Sequence, residues 1–510
     1  MSKGNKISLS ALLIFVAVVA LLAIVIPRVV NIDRYRPQVV AQIHRETGKP
    51  VEIGRLRLAI LPQVAIRVDD FSLSNPPGFP AGEFVRVKEI VAVVDALALL
   101  HHQVVITSLK LHDPALNMLE DTHGKWNFEN PATRPEPPLN SPANNSVAFS
   151  LGVISRLSIT RGQFFAASLL ESGAPGPSLL EVHGAAIDLH DVNLNALTTS
   201  ALHAPSSSPG AFASLLGPFK ATVYAADANP PAMAEGTIKA DALLFGPISV
   251  TRMRSTLRLF PKQVFFDNLE LKCFGGRAEG NLSLNLGGAN LAYAVDAKVK
   301  DVRMAEFLDS FPQARGLMTG TLEGAAQMKG LVLKSVDPLS DVTGTGHGSI
   351  RDGRMPSLQI TGNVRSLARF AGMGPADGDP SSFSLLSADF RIADTKLSSN
   401  SINLDGNGVI VAGSGSLTTA GEGSLDYQGE ASLAVDRNNP LASILGGLAG
   451  AKFADGKMTF PFVVGGNFSR PKFSLKGGAE KETGATPGTS GRSGNLARGL
   501  SGFLKKKKQQ

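Results

Sequence analysis

The sequence predicts a mainly β fold, in which one apolar span is followed by many strands and few short helices, a pattern that by periodicity alone fits a packed sandwich or solenoid core as well as an elongated, curled antiparallel sheet. Three observations carry that expectation. Apolar and polar residues alternate in many short segments, as where Val64, Ile66 and Val68 interleave with Ala65, Arg67 and Asp69, the period of a strand with one buried face. The 53 glycines and 31 prolines provide turns between such segments. Helical periodicity is confined to a few stretches.

The first element is the apolar run of residues 7–26, ISLSALLIFVAVVALLAIVI, twenty residues without an ionisable side chain. At about 1.5 Å of rise per residue, a helix of this length crosses the ~30 Å hydrocarbon layer. The run leaves through Ile26, Pro27 and Arg28 with no A-x-A-like site, unlike a cleaved signal peptide. Residues 1–30 are therefore expected to form an uncleaved single-pass anchor. Lys3 and Lys6 precede the span while Arg28, Arg34 and Arg36 follow it, so the flanks do not orient it. With no second span downstream, a short cytoplasmic amino terminus and an exported body are expected.

Residues 31–47 follow as a short helix with Ile32, Val39, Val40 and Ile43 on one side, ending at Gly48. Strands begin next, with a turn at Asn75-Pro-Pro-Gly-Phe-Pro80. Phe84 to Leu99 reads as two strands or one bent strand. Val104 and Ile106, then Leu109 and Leu111, keep a period of two with a one-residue slip, which predicts a β-bulge. Residues 131–147, 206–210 and 484–495 are Pro/Gly/Ser/Asn-rich and read as linkers. Alternation returns at Leu257 and Leu259, at Leu282, Leu284 and Leu286, at Val295 and Val299, at Val409 and Val411, and at Phe462 and Val464. Helical interruptions are expected at residues 304–311, 367–372 and 441–448. Two Asp-Gly segments, IRDGRM from Ile350 and FADGKM from Phe453, form a weak internal echo and read as turns.

Charge and chemistry narrow the function classes. Of the net charge of +7, the last fifteen residues hold five through Arg498 and Lys505 to Lys508, leaving +2 for the rest. That body is no polyanion-binding surface, so nucleic acid is not an expected partner. A single cysteine, Cys273, allows no internal disulfide and no CxxC site, and reads as a small apolar strand residue. The phosphate loop G-x-x-x-x-G-K-[ST], the nucleophile elbow G-x-S-x-G and the zinc motif H-E-x-x-H do not occur. Gly344-Thr-Gly-His-Gly348 resembles part of a dinucleotide fingerprint but precedes a strand-like segment, so it reads as a turn. The adjacent His101 and His102 would point to opposite faces of a strand, and His183, Asp188, His190 and Asp191 read as solvated strand residues. No enzyme, catalytic residue, cofactor or metal is expected.

Several ordered pieces resemble one family. They are the apolar span, the helix ending in Thr47-Gly48-Lys49, strands flanking Pro62, the Asn75-Pro76-Pro77-Gly78-Phe79 turn, Asp113-Pro114, and Gly124-Lys125-Trp126-Asn127. Together they resemble the amino-terminal module of AsmA-like proteins, and Ser349 to Arg354, Phe390 to Ser416 and Phe460 to Leu475 resemble that family's carboxy-terminal region. The resemblance implies a chorein-like module over residues 31–130, the linker at 131–147, a β-rich groove over 148–475, and a linker with a basic tail over 476–510. It further implies a bridge-like carrier in the envelope of a bacterium, with its anchor in the inner membrane and its body in the periplasm. Such a carrier would hold phospholipid acyl chains against an apolar concave face and serve outer-membrane biogenesis.

On that reading Val64, Ile66, Val68, Val104, Ile106, Leu257 and Leu259 line the groove, continued by Leu282, Leu284, Leu286, Val409, Val411, Phe462 and Val464. An outer-membrane or envelope protein would be the second partner. The alternative is an envelope scaffold that influences protein targeting or insertion at the outer membrane by contacts alone. The tail places Leu496, Leu500, Phe503 and Leu504 on one helical stripe ahead of Lys505, Lys506, Lys507 and Lys508. It reads either as a solubilising tail or as a short helix docking on an anionic membrane surface.

Overall fold

The computed structural model describes residues 31–61, 63–100, 105–128, 153–193, 232–286, 291–332, 340–356, 379, 381–406, 408–418, 423–434, 452–467 and 471–475. A 3-10 turn, Ile32–Tyr35, leads into α1 (Arg36–Thr47). Proline sits in the first turn of α1, where a missing N–H costs nothing. Gly48 stops the helix at φ 67 and donates its N–H to His44, a left-handed conformation that a side chain would strain. The expected span at residues 7–26 lies outside the described residues. Among those described, no helix is long and apolar enough to cross a membrane.

Strands then dominate. They are β1 (Val51–Ala59), β2 (Ala65–Ser74) and β3 (Glu83–Val94), the short helix α2 (Ala96–Leu100), and β4 (Ile106–Glu120), β5 (Val153–Leu169) and β6 (Pro175–Asn193). Next come β7 (Ala234–Phe245), β8 (Ile248–Phe260), β9 (Gln263–Cys273), β10 (Gly276–Asn285) and β11 (Leu291–Arg303), then α3 (Met304–Asp309) and a 3-10 turn, Pro312–Ala314. The chain continues through β12 (Thr319–Val332), β13 (Val342–Arg354), β14 (Ser382–Ala393), β15 (Lys396–Gly406), β16 (Val409–Thr418) and β17 (Ser424–Ala434), then β18 (Lys452–Ala454), β19 (Lys457–Gly466) and β20 (Pro471–Leu475).

All of these strands join one sheet. From β1 to β17 each strand pairs with its neighbour in sequence; β17 then pairs with β19, whose other side takes both β18 and β20. Tight hairpins explain the order. Phe274-Gly275, Asp394-Thr395 and Asp455-Gly456 each have positive φ at both central residues, the turn geometry that matches the right-handed twist of paired strands.

Several expectations need correction. The sheet is not wholly antiparallel, because β4 and β5 run parallel, Leu109 opposite Leu157 and Leu116 opposite Phe164. A parallel pair needs a crossover of a dozen or more residues, and the Pro/Asn/Ser-rich residues 131–147 fall within that connection. The Phe84–Leu99 run is one strand followed by α2, which Asp95 caps by accepting from the N–H of Leu97 and Ala98. Gly344 to Gly348 lies inside β13 rather than in a turn. FADGKM does turn, between β18 and β19, whereas IRDGRM continues β13 with Asp352 at φ 51. The helix expected at 304–311 forms as α3. Those expected at 367–372 and 441–448, and all three linkers, lie outside the described residues.

Candidate functional site

The candidate site is the apolar face of the sheet. Its first strands align Leu58, Ile66, Ala92, Leu109, Leu157 and Leu189 as directly opposed partners. The same row passes through Gly236, Leu257, Phe266, Leu282 and Val295. It ends with Met328, Gly344, Ile392, Leu397, Leu417 and Leu425. One position from each of seventeen successive strands thus forms a line without a charged or hydrogen-bonding side chain. At ~4.8 Å between strands it is roughly 75 Å long.

Residues one position along turn to the opposite face, as strand geometry requires, and they are mostly polar. Arg67 pairs with Glu89 at 2.9 Å, Arg57 with Asp69 at 2.6 Å and Arg258 with Asp267 at 2.5 Å. Arg156 with Asp188, and Arg161 with Asp113, bond in the same way, and in both the guanidinium holds the carboxyl below the usual carboxylate range. A small buried patch of Ala65, Val91 and Val93 interrupts this face.

The apolar face also carries a second row. In eight strands the alternation slips by one residue at a left-handed position: Asp70, Asp113, Arg161, Gly184, Arg252, Asn268, Asp301 and Asp352. Asp and Asn reach this conformation more easily than most residues. Each slip puts two consecutive residues, polar except for Gly184, on the polar face and returns the chain to its apolar face at odd spacing. Ile66 and Leu73, Leu109 and Leu116, and Leu257 and Val250 are such pairs. The second row runs through Leu73, Val85, Leu116, Phe164, Val182 and Leu243 to Val250 and Cys273. It resumes at Val302, Leu322, Ile350 and Leu386, then Leu404, Val411, Ala431 and Phe460.

Both rows are covered in places: on the first, buried Leu189 and Leu257 form a cluster against which Leu109, Leu157 and Phe266 pack. On the second row, Val39, Val40 and Ile43 of α1 pack over Val51, Ile53, Leu56 and Leu73. Phe307 of α3 packs with Val250, Cys273 and Val302, and meets Phe274 edge-on at 5.5 Å. Towards the last strands it becomes a solid core, with Phe460 and Ala431 at 0% and Val411 at 1% exposure. On the first row Ile66, Leu109, Leu157, Leu282, Val295, Met328, Leu397, Leu417 and Leu425 are only half-buried, while Leu189, Leu257 and Ile392 are buried.

These rows locate the residues that the sequence singled out. Ile66, Leu257 and Leu282 lie on the first row, with Val68, Leu259 and Leu284 beside it on the same face. Val64 immediately precedes β2, and Leu286 is buried just past β10. Ile106 opposes Val94 across the register shift where the slip predicted a bulge. Val409, Val411, Phe462 and Val464 are packed inside the terminal core. Val104, His101, His102 and the tail residues Leu496, Leu500, Phe503, Leu504 and Lys505 to Lys508 lie outside the described residues. His183 sits 3.2 Å from Glu181, and Asp188 is engaged by Arg156. Among the described residues no group of three or more His, Cys, Asp or Glu is placed to hold a metal ion.

Several short motifs of the first 130 residues converge at one end of β1 to β4. Lys49 is 5% exposed; its Nζ donates to the Phe128 carbonyl at 3.4 Å and lies 4.9 Å above the Phe84 ring, and burial pushes its pKa down. Phe128 stacks on Trp126 at 5.7 Å. Asn127, fully buried, donates to Asn75 Oδ1 and the Asn117 carbonyl, both at 2.8 Å, and accepts from Leu119 N–H at 3.1 Å. Thr47-Gly48-Lys49, Asn75 and Trp126-Asn127-Phe128 are thus parts of one rim that fastens the end of α1 to the strand ends.

Residues 1–163 match the model of the AsmA family. The amino-terminal third is AsmA-like. No curated protein and no solved structure matches the chain. The AsmA-like segment takes in α1, β1 to β4 and the whole rim, and ends inside β5, two residues beyond Arg161. Its boundary therefore falls across the parallel junction. Beyond it, the antiparallel strands β6 to β20 extend the same face.

Proposed function

We propose that this chain is a membrane-anchored envelope protein that carries phospholipid acyl chains along the apolar face of its sheet, between inner and outer membranes and without chemistry of its own. The first row is the observation that carries this reading: a long open β-sheet with an uninterrupted apolar line suits a ligand made of methylenes. Each buried CH₂ is worth ~0.8 kcal/mol, so a two-chain lipid with about 30 of them faces a penalty on the order of 20 kcal/mol in water. A continuous apolar surface removes most of that penalty. No nucleotide, metal or nucleic acid enters the scheme.

In this scheme residues 1–30 hold the chain in the inner membrane, the body lies in the periplasm, and β1 stands nearest the anchor. An outer-membrane or envelope protein would accept the cargo at the far end, and the basic tail from Leu496 would rest on an anionic surface. The decisive experiment is mass spectrometry of an organic extract of the purified exported body. Phospholipid above the level of an unrelated periplasmic protein is the expected result. A lipid-free body that still affects outer-membrane protein insertion would favour the contact-only scaffold.

A further inference from the structure

An apolar side chain exposed singly is ordinary on a protein surface, but at one end of the first four strands three stand together. Ala59, Ala65, Val93 and Ser108 face one another across β1 to β4. Beyond that row the chain reverses twice, through residues 60–64 and through α2 to Val105. The Val64 carbonyl accepts from the Val94 N–H and the Val105 carbonyl from the Asp95 N–H, both at 2.9 Å, so the two reversals lie side by side. On them Leu61 is 51% exposed, Leu97 72% and Val105 37%. Apart from Asp95, residues 60–64 and 95–105 hold no Lys, Arg, Asp or Glu, and the Asp95 carboxylate is taken up by the N–H groups of Leu97 and Ala98.

These tips stand at the end where the chain arrives. Gly48 and Lys49, at the close of α1, belong to the rim at the other end of β1. Arg36, at its start, donates to the carbonyls of Ile53 and Gly54, and Asp33 accepts from the Leu56 N–H at 2.9 Å. Followed upstream, the chain therefore advances along β1 towards Ala59 and the tips. Only residues 27–30 separate Asn31 from Ile26, the last residue of the apolar run, a reach of at most about 17 Å. Tyr35 is 44% exposed beside this point, with the Arg34 guanidinium 4.8 Å from its ring centre, an amphipathic ring and a cation of the kinds that anchor at a membrane–water interface. We infer that Leu61, Leu97 and Val105 seat in the surface of the same bilayer that residues 7–26 cross, with α2 lying in the interface. This rests on the reading of residues 7–26 as a membrane anchor and adds a second contact to it. The bilayer is the apolar phase that the arriving chain brings within reach of the tips. Two separated contacts fix the orientation of the first strands against the membrane, which a single tether cannot do.

The test uses the full-length chain reconstituted in vesicles of phosphatidylethanolamine and phosphatidylglycerol, with an environment-sensitive fluorophore on one introduced cysteine and a quencher on the lipid acyl chains. The wild type, whose one thiol at Cys273 is buried, sets the labelling background. Probes are placed by Leu61→Cys, Leu97→Cys and Val105→Cys. Ala17→Cys reports on the anchor, and Leu170→Cys and Phe245→Cys report on apolar residues 51% and 44% exposed at the opposite strand ends. A blue shift and loss of emission at the tips and at Ala17, with neither at Leu170 and Phe245, are expected, and the loss at the tips should disappear in detergent. Loss at Ala17 with none at the tips would overturn the proposal and leave the anchor standing, whereas loss at neither would remove both. Equal loss at Leu170 and Phe245 would overturn the proposal, because the contact would not belong to one end. Loss at the tips that persists in detergent would report lipid carried on the protein rather than a bilayer, and disulfide-linked dimers of Leu97→Cys would assign the tips to a second copy; either result would overturn it too.

Discussion

Asn127 reaches across 52 residues of sequence to donate a 2.8 Å hydrogen bond to Asn75, joining the loop after β4 to the turn after β2. Because Asn127 is fully buried and its amide serves three partners, truncation leaves a backbone donor and a carbonyl unpaired. Asn127→Ala should cost about 2–4 kcal/mol, measured by urea unfolding. A loss below that of an exposed Asn→Ala control would show that the rim does not hold the module together.

Lys49 makes the same rim sensitive to alkali. Its folded pKa lies below the unfolded value of about 10.4, so between the two values the unfolded chain binds more protons and stability rises with pH. The wild type should therefore gain stability relative to Lys49→Met as pH climbs towards the unfolded value, read from paired denaturation curves. Parallel curves would mean the ammonium is no burden to the fold.

On the polar face the sign is opposite. Asp113 and Asp188 are held below the ordinary carboxylate value, chiefly by hydrogen bonds from Arg161 and Arg156. Their contribution is present above the unfolded value of about 3.9 and is lost as pH falls through the lower folded value. The double variant Asp113→Asn/Asp188→Asn should be less stable than the wild type at pH 7 and converge with it in acid. Both carboxylates are solvent-accessible, so added salt should shrink the difference as well.

Tyr427 carries the one buried side-chain polar atom left without a hydrogen bond among the described residues, and burial pushes its hydroxyl up to about 12. The ring lies 5.7 Å from Phe462. Removing the oxygen keeps the ring and relieves desolvation, so Tyr427→Phe should stabilise the protein by ~1 kcal/mol. A loss of stability would indicate that the hydroxyl has a partner.

Much of the fold was legible because alternation reports directly which residues share a face: Ile66 and Val68, or Leu282 and Leu284, needed no structure. The division into two rows was written as plainly, in the recurring order apolar, polar, Asp/Asn/Arg, apolar at Val68 to Phe71, Val250 to Met253, Phe266 to Leu269 and Val299 to Val302. It is hard to read from sequence because one slipped strand looks like noise, and only the sheet shows that the slips divide the same face. Gly344 to Gly348 misled for a different reason. A Cβ on Gly346 would stand 2.5 Å from the Phe390 ring, and one on Gly344 2.8 Å from Met328 Cγ, so these glycines accommodate neighbours within a strand rather than a turn. The sealed state of Val409, Val411 and Phe462 was not readable, since a period of two identifies a face but not what covers it. The parallel step at β4 and β5 likewise depends on where a connection returns, which local pattern does not encode.

Pairing of sequence neighbours from β1 to β17 has a consequence for how the molecule is made. Outside the β4–β5 step and the longer connections from β6 to β7, β13 to β14 and β17 to β18, most strands meet their partners after a short reversal, so most loop closures are inexpensive and the sheet can grow largely hairpin by hairpin. Stability then accumulates from nearest-neighbour interfaces, as in repeat proteins, and inserting or deleting a hairpin should change reach by roughly 10 Å without redesigning the rest. Length, in such a molecule, is an adjustable quantity set by strand count.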